Sequence, residues 1–138
     1  MPKRTSQAWS RRKGTPGVQT ESVLDCADNS GARKLKMIAA IGYHGRKRRQ
    51  PYASLGDQIV VTVKKGKPEL RHQIVRAIIV RQKMPYKRAN GEWIQFEDNA
   101  AVMIDSEGEP KGTEIRGAVA KEAAKKWPAV GKIARIIV

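Results

Sequence analysis

The sequence predicts a mainly β protein: a small five-stranded β-barrel of OB or SH3-like type, with a projecting β-hairpin and a short C-terminal helical segment. Three observations predict it. Short runs of β-branched and apolar residues recur along the chain, turn-forming residues separate them, and Asn90-Gly91 is typical of a tight hairpin turn. Several short strands of this kind usually close into a barrel, because closure removes exposed sheet edges.

Five segments are predicted as the barrel strands, since apolar side chains alternate along them or fill them. In the third segment, Ile59, Val61 and Val63 fall on one face of a strand. Clusters of Gly, Asn, Asp, Ser and Pro separate the segments, as turns require. The predicted strands are residues 22–27, 34–41, 58–65, 74–81 and 100–104.

The tetrad Asp28-Asn29-Ser30-Gly31 stands between the first two strands. All four residue types favour turns, either through side-chain hydrogen bonds to the backbone or through tolerance of positive φ. A catalytic aspartate would need a base, a nucleophile or a metal partner, and the flanking residues supply none. We therefore predict a tight connection between strands and not a catalytic loop.

A hairpin and a helix complete the predicted elements. The arms of the hairpin are roughly residues 80–87 and 93–96. Residues 118–127 have helical spacing, and Pro128 ends the predicted helix. Its apolar face consists of Ala120, Ala123, Ala124 and Trp127.

The chain of 138 residues is predicted to form one barrel domain over residues 21–138, with the helical segment as its C-terminal appendage. Residues 1–20 are rich in Lys, Arg, Ser, Gly and Pro. Segments of this composition bury too little apolar surface to fold alone. We expect a basic N-terminal extension that becomes ordered on a partner.

Charge is distributed unevenly. The chain carries 28 Lys and Arg against 13 Asp and Glu, a net charge of +15. Residues 1–91 hold 21 basic and 5 acidic side chains, whereas residues 92–122 hold 3 basic and 8 acidic ones. Such a field favours a polyanion. No long apolar span and no secretory signal are visible, so we expect a nucleic-acid partner, no membrane and a cytoplasmic location.

The basic residues form short clusters at predicted loops, where cationic side chains can reach phosphate oxygens while the strands fix their spacing. A solvated surface explains any one cluster, but four together favour RNA. Tyrosines near these loops are too few for a stacking platform, so phosphate contact should outweigh base readout. The predicted RNA-binding residues are Lys3, Arg4, Arg11, Arg12, Lys13, Arg33, Arg46, Lys47, Arg48, Arg49, Lys64, Lys65, Lys67, Arg71, Arg81, Lys87 and Arg88.

We predict no catalytic group, metal site or cofactor. Asp105, Glu107 and Glu109 alternate along the chain but lack the order of an EF-hand loop. His44 and His72 have no nucleophile at motif distance. The single cysteine excludes an intramolecular disulfide and a thiolate zinc cluster.

Four segments carry a resemblance to a known family. They are CADNSGARKLK (residues 26–36), ASLGDQIVVTVKKGKPELR (53–71), AIIVRQKMPYKRANGEWIQFEDNAAV (77–102) and KGTEIRG (111–117). Together they cover most of the chain after residue 20. The chain resembles the universal large-subunit ribosomal protein L-fourteen family in its archaeal and eukaryotic form, which eukaryotic nomenclature called L-twenty-three.

The resemblance implies a barrel docked on large-subunit rRNA and in contact with small-subunit rRNA at an intersubunit bridge. It implies neighbouring proteins resembling L-three and eukaryotic-type L-twenty-four, and transient binding of the anti-association initiation factor six. We expect Glu107 and Glu109 to face a protein partner. The leading alternative is a free translation or RNA-chaperone factor on an OB-like barrel; a metal-dependent nuclease is a distant third.

Overall fold

The computed structural model describes residues 14–138. In chain order, its elements are β1 (Val18–Gln19), β2 (Val23–Cys26), β3 (Ala32–Ala40), β4 (Tyr52–Ala53), β5 (Gln58–Gly66), β6 (Ile74–Arg81), β7 (Tyr86–Lys87), β8 (Trp93–Ile94), β9 (Ala100–Ile104), β10 (Ile115–Val119), α1 (Lys121–Lys126), α2 (Pro128–Ile133) and β11 (Ala134–Ile137).

Five strands close into a barrel in the order β2-β3-β5-β6-β9. Neighbours are antiparallel except β2 and β9, whose parallel pairing closes the barrel. These are the five strands predicted from sequence, with ends that agree within two residues. The predicted mainly β barrel is therefore confirmed.

The apolar side chains form two cores. One fills the barrel, where alternation turns residues such as Leu35, Val61 and Met103 inward. The other packs the outer faces of β6 and β9, including Ile78 and Val102, against the C-terminal segment. Strand β9 and the second half of β6 are apolar at nearly every position because both faces are buried there.

The C-terminal segment is more elaborate than the predicted single helix. The chain is still extended at Ala120, where φ is −65° and ψ is 139°, so α1 begins only at Lys121. Pro128 ends α1 but also opens α2, since proline suits the first turn of a helix. The strands β10 and β11 form a parallel pair beside the helices. Neither these strands nor α2 was predicted.

The hairpin and the N-terminal segment also differ from the sequence prediction. The hairpin strands are β7 and β8, each two residues long and shorter than predicted. Val18 is fully buried and pairs with Ala53, so the end of the predicted extension packs on the barrel.

Candidate nucleic-acid interface

The structure divides the predicted RNA-binding cations into several groups. Eight of the seventeen lie on two separate exposed surfaces, two are engaged in internal ion pairs, and Lys64 and Lys87 are exposed on a barrel strand and on the hairpin. Five fall outside the described residues: Lys3, Arg4, Arg11, Arg12 and Lys13.

The first group, here called the groove surface, consists of exposed cations around an open groove beside the β2–β3 turn. The start of β3, the end of β5 and the β5–β6 loop contribute to it. Its members are Arg33, Lys65, Lys67, Arg71 and Arg116.

A close backbone approach brings these elements together. A Cβ at Gly66 would stand 2.7 Å from the carbonyl oxygen of Gly31 and 2.8 Å from the Cα of Ala32. Only glycine permits this spacing. Its φ of 153° also favours glycine. The two glycines thus hold Arg33 and Lys67 on facing chain segments.

The tetrad Asp28-Asn29-Ser30-Gly31 forms the β2–β3 connection, as predicted. The buried Asp28 carboxylate accepts hydrogen bonds from the Ser30 hydroxyl (2.6 Å), the Ser30 backbone N–H (3.2 Å), the Cys26 thiol (2.9 Å) and the Met103 backbone N–H (3.0 Å). With four donors, this carboxylate is a structural acceptor that ties the turn to β9.

Asn29 links the same turn to the segment before β10. Its side-chain oxygen accepts a hydrogen bond from the Thr113 backbone N–H, and its amide donates to the Thr113 hydroxyl, both at 2.9 Å. The Arg116 N–H donates to the Ala27 carbonyl at 2.6 Å. These hydrogen bonds position Arg116 at the groove surface.

Arg116 was not among the predicted RNA-binding residues. It lies within the acidic stretch of residues 92–122, so counting charge along the chain assigned its segment to the acidic side. The segment KGTEIRG, which contains Arg116, enters the sequence analysis only through the family resemblance. The position of Arg116 in the groove depends on long-range pairing that charge counting cannot detect.

Burial holds Cys26 in its thiol form. Removal from water raises its pKa to about 12, and the adjacent Asp28 carboxylate adds to the rise. The thiolate is the reactive form of cysteine. Cys26 therefore has a packing role.

The second group, here called the loop surface, consists of Arg46, Lys47, Arg48 and Arg49. All four are exposed in the loop between β3 and β4. The rings of Tyr43 and Tyr52 anchor the loop by packing edge to face, with centroids 5.3 Å apart. A backbone hydrogen bond of 3.0 Å from Arg49 to Arg46 closes the loop into a turn.

The two surfaces lie at opposite ends of β3. The groove surface surrounds its first residues, and the loop surface follows its last. Nine strand residues span about 25 Å, well beyond the Debye length of about 8 Å at physiological salt. The surfaces can therefore bind separate phosphate groups independently.

Arg81 and Arg88 have internal roles, in contrast to the exposed surface expected from sequence. Arg81 binds the Asp98 carboxylate through two nitrogens, at 2.9 and 3.2 Å, and donates to two backbone carbonyls of β10. Arg88 pairs with Glu122 at 2.8 Å. Because these donors are already engaged, we leave both arginines out of the interface.

The Arg88 pair joins the hairpin to α1. The Tyr86 hydroxyl donates to Glu122 at 3.0 Å. Burial raises the pKa of Tyr86 to about 12. Burial by itself would raise the pKa of Glu122, but hydrogen bonds from Arg88 and Tyr86 outweigh it and lower that pKa.

The turn after β9 is acidic, in contrast to the two cationic surfaces, and contains Asp105, Glu107 and Glu109. Asp105 caps the turn by accepting backbone hydrogen bonds from Glu107 (2.9 Å) and Glu109 (3.0 Å). Both glutamates are exposed and line an open groove with Trp127 and Ile133. Exposed carboxylates repel phosphate groups, so this turn does not belong to the cationic surfaces.

Within residues 14–138, no group of three or more His, Cys, Asp or Glu side chains could hold a metal ion. No helix there is both long and apolar enough to cross a membrane.

Comparison with known proteins identifies the family. Residues 17–138 match the family model described as ribosomal protein L14p/L23e. The chain is 50% identical to the large ribosomal subunit protein uL14 of Saccharolobus solfataricus, over 96% of each chain. It is 49% identical to uL14 of Sulfurisphaera tokodaii over the whole of both chains, and 56% identical to uL14 of Thermofilum pendens over 90% and 88% of the two chains. The chain therefore belongs to the ribosomal protein L14p/L23e family.

Proposed function

We propose that this protein is a structural constituent of the large ribosomal subunit and binds large-subunit rRNA through the groove surface and the loop surface. Family membership carries the proposal. The two exposed cationic surfaces supply its physical basis. The protein acts by holding RNA and not by catalysis.

The mechanism rests on phosphate neutralisation. Lysine and arginine side chains displace condensed counterions, and the released ions drive binding. Because the rigid barrel separates the two surfaces by about 25 Å, two rRNA segments are held at a fixed spacing. Arg33 and Arg71 add geometric specificity, since a guanidinium can bind a phosphate through two nitrogens.

Finer contacts are part of the same proposal. We infer contact with small-subunit rRNA at an intersubunit bridge, neighbours resembling ribosomal proteins L-three and eukaryotic-type L-twenty-four, and transient binding of the anti-association initiation factor six. The protein would act in cytoplasmic ribosomes. The exposed acidic turn with its adjacent apolar groove supports a protein-facing side.

Charge reversal tests that protein-facing side. The double change Glu107→Lys and Glu109→Lys should weaken binding of initiation factor six to large subunits and leave incorporation of the protein intact, because both side chains lie outside the two cationic surfaces. Pelleting of the factor with purified subunits measures the contact. Failure of the variant to enter subunits would contradict the assignment.

Salt dependence tests RNA binding. If the purified protein engages about 6 to 10 phosphates, its affinity for a large-subunit rRNA fragment should fall about 10³- to 10⁵-fold between about 50 and 200 mM salt. The triple change Arg33→Gln, Lys67→Gln and Arg71→Gln should make the slope of log affinity against log salt shallower by about 2 to 3. Filter binding or fluorescence anisotropy measures both quantities.

A matched control removes the same charge elsewhere. Lys111, Lys125 and Lys132 are exposed and lie outside both cationic surfaces. Their triple change to Gln should alter the slope by less than about one. Equal slopes for the two triple variants would contradict the assignment of the groove surface.

The rival function is a free RNA-binding translation or chaperone factor. A subunit constituent stays with the large subunit through a high-salt wash, whereas a factor is released, so sedimentation distinguishes them. A nuclease would require RNA turnover with Mg²⁺ that Asp28→Asn abolishes. That role conflicts with the carboxylate's geometry, because Asp28 is buried and already accepts four hydrogen bonds.

A further inference from the structure

The hairpin exposes a tryptophan on its outward face. Trp93 is 68% exposed, whereas Tyr86 on the neighbouring strand is only 8% exposed. Lys87 pairs with Trp93 directly across the two strands and is also exposed. Large indole rings usually bury most of their surface, so this exposure makes the outward face a candidate binding surface.

Alternation along the strands separates the charges of the hairpin. Tyr86 and Arg88 point to one face, where both contact Glu122. The backbone N–H of Arg88 donates to the Glu92 carbonyl across the hairpin at 2.9 Å. The outward face presents Trp93 beside the cationic Lys87.

The hairpin is restrained at its turn and by the neighbouring helix. At the turn, the Gly91 N–H donates to the Arg88 carbonyl at 2.9 Å, and Gly91 adopts a φ of 92° that a side chain would strain. The Arg88 side chain, next to the turn, pairs with Glu122 on α1. These contacts restrain the segment that carries Trp93, which lowers the entropic cost of binding.

We propose that Trp93 stacks on an unpaired RNA base while Lys87 contacts the phosphate beside it. This inference rests on the proposed RNA-binding function and adds a preference for unpaired nucleotides. The chemistry is direct: an aromatic face stacks on any exposed base, whereas bases in a duplex are already stacked on their neighbours. Base stacking by Trp93 would thus act beside the phosphate contacts that the charge distribution predicts.

The test compares two RNA probes with the full-length protein: a single strand of about 12 nucleotides and a fully paired duplex of the same length. Trp93→Ala should weaken single-strand binding about 5- to 150-fold and leave duplex binding unchanged. Trp93→Phe should retain most of the affinity because a ring remains. Thermal melting should be the same for all three proteins, since the side chain is exposed.

Salt dependence distinguishes the contribution of Trp93 from that of Lys87. Trp93→Ala removes no charge, so its slope of log affinity against log salt should equal that of the wild type. Lys87→Gln should make the single-strand slope shallower by about 0.7. Tryptophan fluorescence should be quenched by the single strand in the wild type, and this quenching should be largely lost in Trp93→Phe.

Two outcomes overturn the inference: unchanged single-strand affinity in Trp93→Ala, or an equal loss on single strand and duplex. If the groove-surface triple variant weakens RNA binding in the same assay, only the role of Trp93 fails. If the wild type binds neither probe nor the rRNA fragment, the proposed function fails as well.

Discussion

Burial determines the role of each arginine more than its position in a basic cluster does. Arg71 and Arg81 both lie in basic segments of the sequence. Arg71 is exposed at the groove, whereas the Arg81 side chain is 13% exposed and bound to Asp98. The carboxylate partner is 17 residues away, so sequence clustering could not distinguish the two.

Cys26 gives a direct chemical test of the turn's environment. Its pKa, raised to about 12 from an ordinary 9.0, should make alkylation by iodoacetamide at pH 8 at least about 10-fold slower in the folded protein than in urea. As the chain has one cysteine, mass spectrometry reports this site alone. Similar rates in the two states would contradict the burial and the contact with Asp28.

Asp28→Asn should destabilise the protein by about 2 to 4 kcal/mol, because the new amide cannot accept all four hydrogen bonds that converge on the buried carboxylate. Urea unfolding followed by circular dichroism measures the loss. The control is Asp105→Asn, whose carboxylate also accepts backbone hydrogen bonds but is exposed. We expect about 1 kcal/mol or less there; equal losses would refute the structural role of Asp28.

At the scale of elements, the barrel was predictable and the C-terminal segment was not. Strands such as β5 alternate apolar and polar residues locally, so their pattern is visible in the sequence. The strand β10 reads IRGAV and contains Gly117, where φ is 75°, so it has no such pattern. It pairs with β11, which comes after both helices in the chain, so local sequence patterns do not reveal the pairing.

The stability that the contact between the hairpin and α1 provides should depend on pH. The pKa of Glu122 is lowered from its ordinary 4.5, so its contribution to stability is present above pH 4.5 and is lost as pH falls through the lower folded value. Glu122→Gln should cost about 1 kcal/mol or less at pH 7, because the pair is partly exposed. The difference between the two proteins should shrink below pH 4.5.

Urea unfolding at several pH values measures this difference. Glu69→Gln is a suitable control, since that glutamate is exposed and lies in the loop before β6. A gap between wild type and Glu122→Gln that is the same at pH 7 and pH 3 would show that the carboxylate's charge does not support the hairpin.

For the whole molecule, the sequence predicted a cationic protein with an acidic side but not the arrangement of its charges. The net charge of +15 indicated a polyanionic partner. The groove surface depends on strand pairing, which brings the end of β5 beside the start of β3, whereas the loop surface lies beyond the other end of β3. The position of Arg116 at the groove likewise depends on the hydrogen bonds between Asn29 and Thr113.

Site-specific photocrosslinking within intact large subunits tests this arrangement most directly. A benzophenone side chain at position 67, in the groove surface, or at position 48, in the loop surface, should crosslink to rRNA, and the two should reach different rRNA segments. The same group at position 132, in the groove lined by Glu107 and Glu109, should crosslink to rRNA far less. Equal rRNA crosslinking from all three positions, or none from positions 48 and 67, would contradict the proposal that two separate cationic surfaces hold this protein on rRNA.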